Sequence, residues 1–414
     1  MGGILFLAHR IPFPPNRGDK IRAHHLLKAL AKLAPVHVGC FSESAEDRAG
    51  EGELAGAAAS YALIERTKPL PLAGIQALTS GKPVSLTAFH HADMAAWVER
   101  TISTHQIETV FVFSGQMGQY VPASFTGRVI IDLCDVDSAK FDAYGESGTA
   151  PRKWIDAREG RLLKAVEQAL VERSDVTTLI TDAEAALLKS RLSAHNAGDI
   201  RAIGNGIDAQ FFDPSSVEPH PDLSGEGPHF VFTGQMDYQP NIAACLRMMD
   251  HILPAVRDEL PQAIFHVVGR APTAQLRARD GKGGVRVWGG VPDVRPFLRS
   301  ATAVVAPLTI ARGVQNKVLE AMAMECAVVL SEEAATGIDA ANGEHFSIGT
   351  SDAALAAQLV HLAQNSDKTG AMGASARAYV LAHQSWEAML APLATIIQSE
   401  DATPQDAKAA AHAA

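Results

Sequence analysis

Cysteine is scarce: four residues in 414, Cys40, Cys134, Cys245 and Cys326, far apart and never as a C-x-x-C pair. That excludes a disulfide framework and a zinc knuckle and points to a reducing, cytoplasmic compartment. No apolar stretch approaches the ~18 residues needed to span a bilayer. The opening MGGILFLAHRIPFPP has no basic residue before its short apolar run and no small-residue cleavage site, so no signal peptide is expected. There is no G-x-S-x-G elbow and no H-E-x-x-H, hence no case for a serine hydrolase or a zinc protease. No repeat of 20–50 residues is present, which removes solenoids and propellers.

What the chain has is length and apolar content. At 414 residues, 47% hydrophobic and 20% charged, it is too apolar to be disordered and long enough for two or three domains. Residues 1–206 carry 22 Lys+Arg against 23 Asp+Glu, and 207–414 carry 14 against 23, which disfavours general nucleic-acid binding. Short β-branched runs alternate with helical segments: ILFLA at 4–8, VHVGCF at 36–41, ETVFVF at 108–113, VIIDL at 129–133 and VTTLI at 176–180. Such strands predict a parallel sheet covered on both faces. Leu26, Leu30 and Leu33 mark the inner stripe of a crossover helix over 20–33. After Gly204-Asn205-Gly206 and a polar stretch over 213–228 the alternation restarts: HFVFTG at 229–234, AIFHVVG at 263–269, VRVWGG at 285–290, AVVAPL at 303–308 and AVVLS at 327–331. Two tandem Rossmann-like, doubly wound α/β domains are expected, over 1–206 and 207–385, then a helix over 386–400 and a flexible tail over 401–414.

Two loops carry candidate chemistry. Pro14 to Lys20, PPNRGDK, joins the first strand to its helix; Gly18 lets backbone approach a ligand, and the helix amino terminus offers N–H groups to a phosphate. Arg17 and Lys20 flank it. The loop is neither G-x-G-x-x-G nor a P-loop, which disfavours nicotinamide binding and P-loop hydrolysis, and a plain turn with Asp19 as N-cap is the alternative. The second loop, TIARGVQNKVLE over 309–320, sets Arg312, Gly313, Asn316 and Lys317 before a helix bearing Glu320. Arg312 and Lys317 suit a diphosphate, and Glu320 suits two ribose hydroxyls. The alternative is an exposed i,i+3 pair of Lys317 and Glu320.

Asp135-Val136-Asp137 after VIIDL has the form of a D-x-D that holds a divalent cation on a diphosphate; the alternative is a turn whose carboxylates bond local backbone. In the helix over 151–172, Ile155, Leu162, Val166 and Ala169 form an inner stripe. Trp154 with Arg152, Lys153, Arg158, Arg161 and Lys164 forms a basic outer face suited either to solvent or to anionic lipid. His24-His25 and His90-His91 are adjacent pairs that point to different faces and make poor metal sites.

FVFTGQMDYQPN at 230–241, GGVPDVRPFL at 289–298, RGVQNKVLEAMA at 312–323 and IGNGID at 203–208 resemble the donor half of retaining glycosyltransferases of family four, which have the GT-B fold. PPNRGDKIRAHHLLKAL and IDLCDVDSAKF resemble, more narrowly, sugar transferases of exosortase-linked exopolysaccharide systems. The resemblance implies two Rossmann-like domains facing across a cleft, with the last helix packing back towards the first. It implies a cytoplasmic, metal-independent, retaining enzyme without a cofactor. A nucleotide diphosphate sugar of unspecified base would be the donor, and a polysaccharide or lipid-linked saccharide the acceptor.

Residue by residue, Glu320 matches the second Glu of the family's E-x7-E element, which contacts the donor ribose, and Gly234 matches the phosphate-side loop. The first Glu falls on Arg312, and the usual basic pair is replaced by Gln235 and Asn241. Arg312 and Lys317 are therefore expected to neutralise the diphosphate, with Gly18, Arg270, Val291, Gly313 and Asn316 also on the donor side and Arg17, Lys20 and Asp135 on the acceptor side. Glu325 stands where a helix-ending Gly is common. A front-face route, in which the leaving phosphate helps to deprotonate the acceptor, is implied. A nucleotide-sugar epimerase of the same shape and a non-catalytic nucleotide-sugar scaffold are the rival readings, the latter because the first Glu is missing.

Overall fold

Gly3–Ala8 (β1), buried from Ile4 to Ala8, is an inner strand of a seven-stranded sheet. In the computed structural model, which describes residues 2–147, 149–193, 198–311 and 313–398, β1 pairs on one side with Val36–Ser42 (β2), which pairs in turn with Ser60–Glu65 (β3). On its other side come Ile107–Phe113 (β4), Arg128–Cys134 (β5), Val176–Leu179 (β6) and Ile200–Ala202 (β7), all parallel. The order β3-β2-β1-β4-β5-β6-β7 is that of a doubly wound sheet.

A second sheet repeats the plan. His229–Thr233 (β8) is central, flanked by Ile264–Val268 (β9) and then Val285–Gly289 (β10) on one side. Ala303–Ala306 (β11), Val328–Leu330 (β12) and Ser347–Ile348 (β13) follow on the other, again all parallel. The chain thus forms two compact Rossmann-like units, one running to Asn205 and resuming at Met389, the other Gly206–Ala388.

All ten strands read from the sequence form. The three it missed, β3, β7 and β13, are sheet edges. An edge strand is short or half-buried, and so lacks the continuous apolar run that marks a central one.

Helices correct the sequence in three places. Gly18–Ala31 (α1) buries Leu26, Leu27 and Leu30, and Leu33 lies past its end. Its inner face also buries Lys20 and Arg22, because each has a carboxylate waiting: Lys20 Nζ to Asp47 at 2.8 Å and Arg22 Nη2 to Asp132 at 2.6 Å.

Leu70–Ser80 (α2), Val84–Ala88 (α3), Asp137–Ser147 (α4) and Arg152–Arg173 (α5) follow. The expected inner stripe of α5 is wrong: Ile155 and Ala169 are exposed, Leu162 and Val166 half-buried, and the buried face is Asp156, Glu159, Gly160, Leu163, Glu167, Leu170 and Val171. Glu159 accepts the N–H groups of Val84 and Ser85 at 2.8 and 2.9 Å, and Glu167 accepts that of Ser138 at 2.8 Å. These carboxylates satisfy the unpaired donors at the starts of α3 and α4, a demand that hydrophobic periodicity does not register.

The single helix expected over 386–400 is instead two, Trp386–Leu390 and Pro392–Gln398, because proline can open a helix but not continue one. The tail expected over 401–414 lies outside the described residues.

Candidate functional site

In the second unit β8 and β11 are neighbours, and the loops after them run to opposite sides of the sheet, the place where open α/β sheets receive ligands. The loop after β8 begins at Gly234, with φ +154°. A Cβ there would stand 2.8 Å from Asn241 Nδ2 and 3.3 Å from Lys317 Nζ, so only glycine fits. Gln239–Arg247 (α6) carries Asn241, which is buried and donates from Nδ2 to the Gln235 carbonyl at 2.9 Å. That bond turns the amide oxygen towards the next loop.

The loop after β11 turns at Gly313, exposed and left-handed with φ +67°. Gln315 donates to the Gly313 carbonyl at 3.0 Å, and exposed Asn316 opens Asn316–Ala323 (α7). Lys317, one residue on, donates to Asn241 Oδ1, and its Nζ lies 4.5 Å from the centre of the Phe232 ring. The expected alternative, an exposed pair with Glu320, is not what forms. Burial pulls the Lys317 pKa down to about 8, against a small opposing pull from Cys245 and Glu320. Burial likewise raises the Glu320 carboxyl, and Lys317 opposes it. The result is a cation satisfied by a neutral amide and a ring face, with its charge left for an incoming anion.

Exposed Arg270 donates from Nη2 to Gln235 Oε1 at 3.0 Å, which brings it to the same loop. Beyond Arg270 lies a cavity of about 450 Å³ lined by Ala271, Pro272, Trp288, Gly289 and Gly290 among others. Val291, half-buried, follows that lining and packs on the core. Trp288 Nε1 donates to His266 Nδ1 at 3.1 Å, and His266 Nε2 lies 2.9 Å from His229 Nδ1. Burial, with lesser contributions from His229, Arg286 and His220, pulls the His266 pKa down to about 3, so this ring is a neutral acceptor that fixes the indole. Sequence reasoning missed this chain; its trace is a histidine at the start of β8 and another in the middle of β9.

Gly234, Gln235, Asn241, Arg270, Gly313, Asn316, Lys317 and Glu320 therefore fall on loops and helix starts at the carboxyl ends of three neighbouring strands. Arg312 lies outside the described residues.

Gly18, Arg17, Lys20 and Asp135 belong to the first unit. Gly18 opens α1 with open space around its Cα, and Arg17, its N-cap, pairs with Asp19 at 2.8 Å. Asp19 is not the cap; burial would raise its carboxyl, but hydrogen bonds from His9 and Arg10 hold it well below the usual range. Lys20 is not available to a ligand, since it is 2% exposed and spent on Asp47. Asp135 is exposed, and Asp137 is half-buried with its carboxyl raised by burial, Lys140 opposing and Asp135 reinforcing. Sequence reasoning also missed the polar cluster at the ends of β1 and β2, where Glu43 takes Arg10 at 2.8 Å and Arg66 at 2.6 Å and His9 stacks on Phe113.

Residues 227–365 match the protein family described as Glycosyl transferases group 1. No curated protein matches the sequence. Solved structures share the two-unit GT-B fold across nearly the whole chain. Sucrose-phosphate synthase from Thermosynechococcus elongatus is 17% identical with a TM-score of 0.57, covering 99% of this chain and 100% of its own. HepE of Anabaena, solved with UDP and glucose, is 14% identical with a TM-score of 0.56, covering 96% and 100%. A glycosyltransferase from Rickettsia africae is 12% identical with a TM-score of 0.56, covering 96% and 99%.

Proposed function

We propose that the chain transfers a sugar from a nucleotide diphosphate sugar to a saccharide or lipid-linked acceptor, with retention and without a metal, in exopolysaccharide assembly. The observation that carries this reading is Lys317, a cation held on Phe232 and Asn241 beside the Gly234 loop, within the segment that matches a glycosyltransferase family. The nucleotide diphosphate bound by Anabaena HepE supports the class of donor.

Negative charge builds on the departing diphosphate as the glycosidic bond breaks, and a fixed cation beside it stabilises that transition state more than the ground state. Lys317 takes this part, with Arg312 from the same loop. The backbone of Gly234 and the start of α7 receive phosphate oxygens, Glu320 accepts ribose hydroxyls, and the base lies towards Trp288. Retention and the exopolysaccharide setting rest on the resemblance of the sequence, as does the front-face route. A cytoplasmic enzyme touching the membrane peripherally through Trp154 and its basic neighbours completes the reading.

The test is thermal stabilisation of the purified chain by UDP, GDP, ADP, dTDP and their common sugars, with and without magnesium, alongside Lys317→Ala. A ligand at ~100 times its dissociation constant stabilises by about 2.7 kcal/mol. Stabilisation by one nucleotide, without magnesium and lost in the variant, is expected. A strict magnesium requirement would return attention to Asp135 and Asp137, and silence across the panel would favour a scaffold. Transfer of labelled sugar to an acceptor, against interconversion of free nucleotide sugars, separates a transferase from an epimerase.

A further inference from the structure

The cavity beyond Arg270 shares a wall with the Gly234 loop. A Cβ on Gly269, at the end of β9, would collide with the Gly234 carbonyl, and Met236 N–H donates to the Arg270 carbonyl at 2.9 Å. Another wall is the Trp288 indole. An indole N–H can only donate, so His266 Nδ1 accepts it, His266 Nε2 carries that ring's proton and His229 Nδ1 receives it. Phe297 meets the indole edge-on at 5.0 Å. A rigid aromatic face of this kind suits any nucleobase and does not choose among them.

The choice falls to Arg277 and Asp280, the two ionisable residues that line this cavity of about 450 Å³. They are opposite in charge and three residues apart, yet each is tied to backbone rather than to the other. Arg277 Nε donates to the Pro272 carbonyl at 3.0 Å, and Asp280 Oδ1 accepts the Val287 N–H at 2.9 Å. Those bonds leave the terminal nitrogens of Arg277 and the second carboxylate oxygen of Asp280 for a ligand. A donor fork and an acceptor are thus set in place beside an aromatic face.

We propose that the donor nucleotide carries guanine, stacked on Trp288 and read by Asp280 and Arg277. The inference rests on the nucleotide-sugar reading above and names its base. Guanine answers both charges: its N1–H and N2 amino group lie side by side and donate to a carboxylate, while O6 and N7 accept from an arginine fork. Uracil and thymine offer one N–H between two carbonyl oxygens, and adenine offers one amino group beside ring acceptors. Each would set an acceptor against Asp280 or leave it a bond short.

The experiment is calorimetric titration of the full chain with GDP, inosine diphosphate, UDP and ADP. GDP should bind about tenfold or more tighter than the others, including inosine diphosphate, which lacks only the 2-amino group. Asp280→Asn keeps an oxygen for the Val287 N–H but turns an amide N–H2 on guanine's donors. It should weaken GDP about tenfold and leave UDP unchanged. Trp288→Leu should weaken all four by a similar factor. Melting temperatures of the unliganded variants show that they fold. UDP or ADP binding tighter than GDP overturns the proposal, as does an Asp280→Asn variant with the parent's order of preference. Binding of UDP or ADP that is lost in Lys317→Ala and indifferent to Asp280→Asn leaves the donor reading standing and sinks the base alone. No binding by any of the four sinks both together.

Discussion

Lys317 Nζ lies 4.5 Å from the centre of the Phe232 ring. The ring belongs to β8 and the amine to the helix after β11, so the contact joins the two strands at the sheet's switch point. An ammonium half-withdrawn from water is costly unless its surroundings return some of that cost, and here a ring face and one amide oxygen do so. Its pKa of about 8 records the imbalance that remains.

That imbalance fixes a pH dependence. Unfolded lysine titrates at about 10.4, above the folded value of about 8. Between the two the unfolded chain holds more protons, so this group makes the unliganded fold more stable as pH rises through that window. A diphosphate requires the charged form, so its affinity should hold below pH 8 and then fall by up to ~tenfold per pH unit. Binding at pH 8.5 should take up protons, read by calorimetry in buffers of different ionisation enthalpy. A flat profile would remove Lys317 from the site.

Lys317→Met should separate function from folding. It removes a poorly solvated cation while keeping an apolar stem on Phe232, so the unliganded melting temperature should stay level or rise. Nucleotide stabilisation should disappear. Glu320→Ala should weaken nucleotide binding by about 1–2 kcal/mol without unfolding the chain. A variant that loses both melting temperature and binding would mark Lys317 as structural.

Glu325 occupies a glycine's place. It has φ +60° at the end of α7, where its N–H donates to Met322 and that of Cys326 to Ala321 at 3.0 Å each, the two bonds of a left-handed helix stop. A residue with a Cβ is strained there, so Glu325→Gly should stabilise the fold by about 1 kcal/mol in urea unfolding. A loss of stability would contradict the assignment.

Arg22 and Asp132 form an ion pair sealed from water, 2.6 Å apart, with side chains 2 and 1% exposed. Asp132→Asn should cost about 3–5 kcal/mol, because the guanidinium stays buried without its counter-charge. Arg22→Met/Asp132→Leu should recover part of that loss. A double variant no better than the single one would show that the bonds of Arg22 to the carbonyls of Ile203 and Gly204, at 2.9 and 3.2 Å, matter more than the pair.

Sequence alone determined the strands at the centre of each sheet, because a strand buried on both faces must be apolar along its length, as Leu5 and Phe232 are. It also singled out the loops that bear Gly234 and Lys317, since glycine and a basic helix start are local signals. Tertiary structure decided which charges stay in water. Lys20 and Arg22 are buried because of Asp47 and Asp132, 27 and 110 residues away, and Lys317 is set by Asn241, 76 residues away. The inward carboxylates of α5 have the same origin. Periodicity reports how a segment would divide between oil and water by itself, but burial of a charge depends on a partner that only the folded chain supplies.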